Sequence, residues 1–213
     1  DRLQIADHRA TGIEWLQDGE RRVATARLEI ILASGSIGSV QVLQRSGIGD
    51  GEHLGSLGIP VVADRKGVGA NLQDHLQLRV IYKVDGVPTM NRIYANLFKR
   101  AWMGAEYALF RRGPLTMAPS QLGVFTRSGP DVDRADLEFH IQPLSLDKFG
   151  DPLHPFSAIT TSVCNLRPES RGHIRITSAD PAAMPEIAPN YLSHDRDKEI
   201  AARSIRAARR IAS

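Results

Sequence analysis

The stretch from Glu29 to His75 constrains this chain most. It opens on Glu29-Ile-Ile-Leu-Ala-Ser34, an apolar run without polar alternation. Such a run suits a strand covered on both faces. Gly35-Ser-Ile-Gly-Ser39 follows, and its small residues allow a tight turn with close backbone approach. Val40 to Arg45 then reads as a short helix, closed by Ser46-Gly-Ile-Gly49. Strand, glycine turn and helix N-terminus together bring backbone N–H groups to a ligand. The same arrangement also occurs as a ligand-free turn, and the local pattern leaves both readings open. A second glycine-containing segment, Gly67-Val-Gly-Ala-Asn-Leu-Gln-Asp-His75, lies further on.

Taken together, the two segments are specific. Gly35 to Gly49 resembles the second signature of the glucose–methanol–choline (GMC) flavoprotein oxidoreductases. Gly69-Ala-Asn-Leu-Gln-Asp-His75 is similar to that family's Gly-x-Asn-Leu-x-Asp-His element. One departure is visible: Val40 stands where the family usually has proline after the serine, and proline suits a first helical turn without being required there. Further on, Leu166–Gly172, Ser178–Pro181 and Pro189–Leu192 are similar to short motifs of the family's substrate domain.

The resemblance implies FAD as cofactor and oxidation of an alcohol to an aldehyde or ketone, by hydride transfer to the flavin with a histidine as base. It also implies what is not seen. The Gly-x-Gly-x-x-Gly loop that holds the FAD pyrophosphate does not occur, since Leu72 stands where Gly67-Val-Gly69 would need its third glycine. The family's His-Pro-x-Gly-Thr-like segment and its catalytic histidine are not found either. We therefore expect an internal segment of an alcohol dehydrogenase or oxidase, inactive alone, with no catalytic residue of its own. The rival class is a non-catalytic binding module that kept the substrate-domain fold without flavin.

The expected fold is α+β. Residues 1–76 are read as the C-terminal part of an FAD-binding α/β domain. Residues 77–213 are read as a substrate domain built on an antiparallel sheet with helices on one face. Strands are expected at Arg2–Ala6, Gly12–Leu16 and Val23–Ile31, with the Asp18-Gly19 turn closing a hairpin. Residues 50–66 read as loop and cover. Further strands fall at Gln77–Lys83, Gln121–Arg127, Asp136–Gln142, Ser157–Leu166 and His173–Thr177. In the third of these Leu137, Phe139 and Ile141 share one face. Residues 91–112 read as one helix, capped by Asn91 and stopped by Gly113-Pro114, and a last helix starts near Ser193 or Asp195.

Site residues follow from the resemblance. Ser34 and Gly35 are assigned to the cofactor side. Asn71, Asp74 and His75 either contact the flavin region or brace the crossing between domains. Asp74 beside His75 also suits acid–base chemistry, although the family's catalytic histidine lies elsewhere. Gln77 stands close to a glutamate that faces the quaternary ammonium in choline-oxidising members. A buried ammonium without counter-charge is costly, so neutral Gln77 points to a neutral alcohol rather than choline. Ser120 and Gln121 either line the pocket or are ordinary loop residues.

Composition excludes several classes. Acidic residues number 24 against 27 basic ones, a net charge of +3 without a dense basic stripe, so no nucleic-acid partner is expected. No apolar run approaches the ~20 residues that span a bilayer. The first residues have no signal-peptide core, and a single cysteine fits a reducing compartment, so we expect a cytoplasmic location. That cysteine cannot form an internal disulfide, and the seven histidines show no paired spacing, so no metal site is expected. No Gly-x-Ser-x-Gly supports a serine hydrolase. Apolar surface is expected where a flavin lobe would pack, a route to self-association.

Overall fold

We describe the protein from a computed structural model covering residues 1–213. In chain order its strands are β1 (Arg2–Ala6), β2 (Arg9–Gln17), β3 (Glu20–Thr25), β4 (Ile48–Gly49), β5 (Ala63–Asp64), β6 (Gln77–Lys83), β7 (Leu122–Thr126), β8 (Leu137–Gln142), β9 (Ala158–Asn165), β10 (His173–Arg175) and β11 (Glu186–Ala188). The helices are α1 (Gly35–Arg45), α2 (Gly51–Ser56), α3 (Met90–Ala95), α4 (Leu97–Phe110) and α5 (Asp195–Ala212). The chain falls into two units, residues 1–74 with 170–193 and residues 75–169 with 194–213.

The first unit begins with the antiparallel sheet β1-β2-β3. Its second turn is Asp18-Gly19, with both residues at positive φ (54° and 80°). That is the backbone a two-residue hairpin needs to match the strand twist. The chain then departs from expectation. Residues 29–34 form no strand, and Leu28 and Ile31 are 85% and 79% exposed. A segment becomes a strand only when a neighbour takes its N–H and C=O groups, and no strand of this chain pairs here. Nor is Gly35–Ser39 a separate turn. Helix α1 starts at Gly35 itself, whose φ of +72° swings the chain into the helix at no steric cost.

Residues 50–66 hold more than loop. Asp50 accepts hydrogen bonds from the N–H groups of Glu52 and His53 (3.1 and 3.4 Å), which caps α2. Strands β4 and β5 form a short parallel pair around it. Leu54, Ile59 and Ile176 make the small core of this unit.

The second unit is built on the antiparallel sheet β6-β9-β8-β7. Alternation along each strand separates its faces. Leu78, Val80, Val124, Leu137, Phe139 and Val163 project to one side and pack with Ile200, Ala207 and Ala208 of α5. The small residues Ser204, Ala207 and Ala208 are buried on α5 and let the helix lie close to the sheet. Asp197, in its first turn, is 4% exposed and accepts from the Glu169 N–H (2.9 Å) and from Asn165 Nδ2 (3.2 Å). A carboxylate there also complements the helix dipole.

The helix expected over 91–112 is two helices. Asn96 ends α3 and caps α4 by accepting from the Lys99 N–H at 3.0 Å. Asn91 is not the cap; Thr89 holds that position. The Asn91 side chain is 2% exposed and faces inward. It donates to the carbonyls of His154 (2.9 Å) and Ser145 (3.1 Å) and accepts from the Ser145 N–H (3.0 Å). A buried amide needs such partners, and that need overrides its capping preference.

Candidate functional site

In the first unit, α1 and the segment Gly67–Gln73 border a groove of about 410 Å³. Ser36, Ser39 and Asn71 line it, with Val40, Leu43 and Ile174 as its apolar part. The buried Gln44 holds the groove in shape. Its amide donates to the carbonyls of Val68 (3.2 Å) and Ile174 (3.3 Å), while its oxygen accepts from the Ile176 N–H (2.9 Å). Gly69 has φ +84° and lies against the Ile174 carbonyl, where no side chain fits. Asn71 is also left-handed, at φ +57°, a conformation its short amide tolerates.

Ser34 and Gly35 stand exposed at the start of α1. The Ser34 hydroxyl makes no capping bond, and the first turn carries no acidic residue. Uncapped N–H groups without a competing carboxylate favour a polar or anionic ligand. Ser34 and Gly35 present such donors at the start of α1, and Asn71 lines the groove beside it. Asp74 is already engaged, since its carboxylate accepts from the Tyr191 hydroxyl. That hydrogen bond, then burial and the carboxylate's charge, push the Tyr191 phenol up to about 12. The raised value favours the protonated phenol in the folded state. Its stabilisation is therefore complete below the ordinary tyrosine pKa, near 10, and is lost as pH rises through about 12. In an ultraviolet titration we expect one of the four tyrosines to ionise late and Tyr191→Phe to remove that component.

In the second unit, the sheet face opposite the core is polar. Directly opposed residues of an antiparallel pair project to the same side. Register therefore sets Gln77, Cys164 and Glu138 in one row and Arg79, Ser162 and His140 in the next. The His140 Nε2 lies 3.2 Å from Glu138 Oε1, and the Cys164 thiol donates to Glu138 Oε2 at 4.0 Å. Burial, and then the Glu138 charge, raise the Cys164 thiol pKa. Ser120 accepts from Gln142 Nε2 at 3.0 Å on the same sheet, and the Gln121 N–H donates to the Ile141 carbonyl at 3.1 Å. His75 pairs with the Leu166 carbonyl at 3.2 Å.

The candidate residues thus fall in two places. Ser34, Gly35, Asn71 and Asp74 lie in the first unit, and His75, Gln77, Ser120 and Gln121 in the second. Sequence reasoning missed the Glu138–His140–Cys164 cluster and the Tyr191–Asp74 bond. The alternation of β8 was the available signal for Glu138, because it puts Glu138 and His140 on one side.

Residues 1–77 match a family model described as GMC oxidoreductase, and residues 168–213 match a second with the same description. An oxygen-dependent choline dehydrogenase of Stenotrophomonas maltophilia is 36% identical over 197 residues, covering 92% of this chain and 35% of the relative. One from Chromohalobacter salexigens is 34% identical over 211 residues, covering 99% and 38%. The chain thus spans little more than a third of the length of these relatives. In fold it is similar to pyridoxine 4-oxidase from Mesorbium loti (TM-score 0.80, 23% identity, 99% of this chain and 37% of that one). It is also similar to formate oxidase of Aspergillus oryzae (TM-score 0.86, 23% identity, 97% and 41%). No helix is long and apolar enough to cross a membrane. Two family-model matches, at the two ends of the chain, and curated relatives along nearly its whole length agree: the chain belongs to the GMC oxidoreductase family.

Proposed function

We propose that this chain is a segment of an FAD-dependent enzyme that oxidises an alcohol to an aldehyde or ketone. GMC oxidoreductases are FAD-dependent flavoproteins, and the flavin supplies the hydride acceptor when bound. The observation that carries the reading is the polar row on the second unit's sheet, backed by a sealed apolar core. Residues 1–76 form the flavin side in this reading and residues 77–213 the substrate side. Ser34, Gly35 and Asn71 bind the cofactor's polar chain. Gln77, Ser120 and Gln121 line the substrate side, where the His140 ring lies against the Glu138 carboxylate. His75 and Asp74 brace the segment that enters β6. Residues 1–213 alone do not turn over substrate, and the location is cytoplasmic. Exposed Leu28 and Ile31 support self-association.

The preferred substrate is a neutral alcohol. Gln77 carries no charge, and both Glu138 oxygens are engaged, by His140 and by Cys164. A second reading, a cationic alcohol, is favoured by the Glu138 carboxylate itself, which sequence reasoning had not weighed. The test is a steady-state assay of the FAD-loaded protein that contains this chain, with neutral alcohols and choline side by side. Oxidation of neutral alcohols with the higher kcat/KM supports the first reading, and preference for choline selects the second. A protein that takes up no flavin and turns over no alcohol would favour the non-catalytic module.

A further inference from the structure

We propose that His75, Glu138 and Cys164 form a binding site for a borderline-soft divalent metal ion of the zinc class. Their donor atoms, an imidazole nitrogen, a carboxylate oxygen and a sulfur, all lie within 4.8 Å of one another. The sheet brings them together. Cys164, on the inner strand β9, is opposed by Glu138 on β8 and Gln77 on β6. His75 lies two residues before β6, in the segment that leads into it, and its ring nitrogen reaches the same cluster.

The chemistry of each donor suits the ion. The Leu166 carbonyl beside His75 Nε2 can only accept a hydrogen bond. The neutral ring is therefore protonated at Nε2, and Nδ1 keeps the lone pair a metal needs. A backbone carbonyl holding the other ring nitrogen is the usual device for orienting a histidine ligand. Cys164 is 5% exposed and forms a dry back to the site, while His75 is exposed and leaves an entry. On coordination the thiol loses its proton to solvent; no electron moves. Thiolate and imidazole together select zinc-like ions over magnesium and calcium.

The distances require one adjustment. Bonds of roughly 2.0–2.3 Å in a tetrahedral site set ligand atoms about 3.3–3.6 Å apart. The donors must close by about 1 Å from their widest separation, a shift that rotation of the His75 and Glu138 side chains can supply. Three protein ligands leave a fourth position for water. His140, beside Glu138 Oε1, would orient the carboxylate.

This site needs no flavin, so its failure is separate from failure of the proposed function. The test is titration of cobalt(II) into the reduced, metal-free chain, read by absorbance. We expect a sulfur-to-cobalt charge-transfer band that saturates at one equivalent. Zinc should bleach the band, and magnesium or calcium should not. Cys164→Ser should abolish it, and Glu138→Gln and His75→Ala should each weaken binding tenfold or more. His75 is exposed, so its variant is decisive even where Cys164→Ser perturbs folding. No thiolate band, or binding unchanged in His75→Ala and Glu138→Gln, would overturn the proposal.

Discussion

Replacing Gly69 with alanine is expected to destabilise the first unit by about 3 kcal/mol or more. Two costs add. The backbone φ of +84° is left-handed, which costs a residue bearing a Cβ roughly 1–2 kcal/mol. The new methyl also meets the Ile174 carbonyl, and behind it Gln44 Nε2 at 2.8 Å. That carbonyl is backbone and accepts from Gln44, so it cannot retreat without breaking the tie between α1 and β10. Gly58→Ala is the control. Gly58 has φ +71° with nothing within 4 Å, so only the first cost applies. The chain has two tryptophans, Trp15 in the first unit and Trp102 in the second. In a Trp102→Phe background, Trp15 fluorescence against urea follows the first unit alone. We expect a much larger loss for Gly69→Ala than for Gly58→Ala. Equal losses would show that the close approach to Ile174 does not matter.

Phe139→Ala should cost the second unit about 3–5 kcal/mol. Phe139 is completely buried on the inner strand β8, opposite Val124 on one side and Val163 on the other. With Ile200, Ala207 and Ala208 these residues form the main core. Truncation loses the transfer free energy of the ring and leaves a cavity under α5 that small helix residues cannot fill. Hydrogen exchange of the β9 and α5 amides would show the loss as faster global opening. Phe139→Leu should recover most of it. Unchanged protection in Phe139→Ala would mean that the sheet does not rely on α5 packing.

These two positions also show what the amino-acid sequence makes legible. Phe139 is readable from alternation alone: the pattern over Asp136–Gln142 predicts a strand with Leu137, Phe139 and Ile141 on one face, and β8 is that strand. The hairpin at Asp18-Gly19, strands β6 to β9 and the start of α5 follow from equally local signals. Gly69 is different. Its motif is visible and supports family membership, but its partner, Ile174, lies over a hundred residues away.

The misses have the same origin. Glu29–Ser34 has the composition of a buried strand, yet composition cannot supply the neighbouring strand that would pair with it. Asn91 has the chemistry of a cap, but burial beside Ser145 and His154 determines its bonds. Helix α2 was hidden in a glycine-rich stretch where the Asp50 cap outweighs weak propensity. Glu138, His140 and Cys164 meet because of strand register, and register between strands far apart in sequence is not written in any one segment. The cofactor-side residues were drawn from the family resemblance, and the structure adds that Asp74 is committed to Tyr191 while Ser34 carries no capping bond.

The proposed reaction is hydride removal from an alcohol by a flavin held against this chain. The most direct test mixes the FAD-loaded protein that contains it, without oxygen, with an alcohol and then with the same alcohol deuterated at the carbinol carbon. Hydride transfer predicts bleaching of the oxidised flavin band by the alcohol, and severalfold slower bleaching by its deuterated form. A flavin that stays oxidised with neutral alcohols and with choline alike would contradict it.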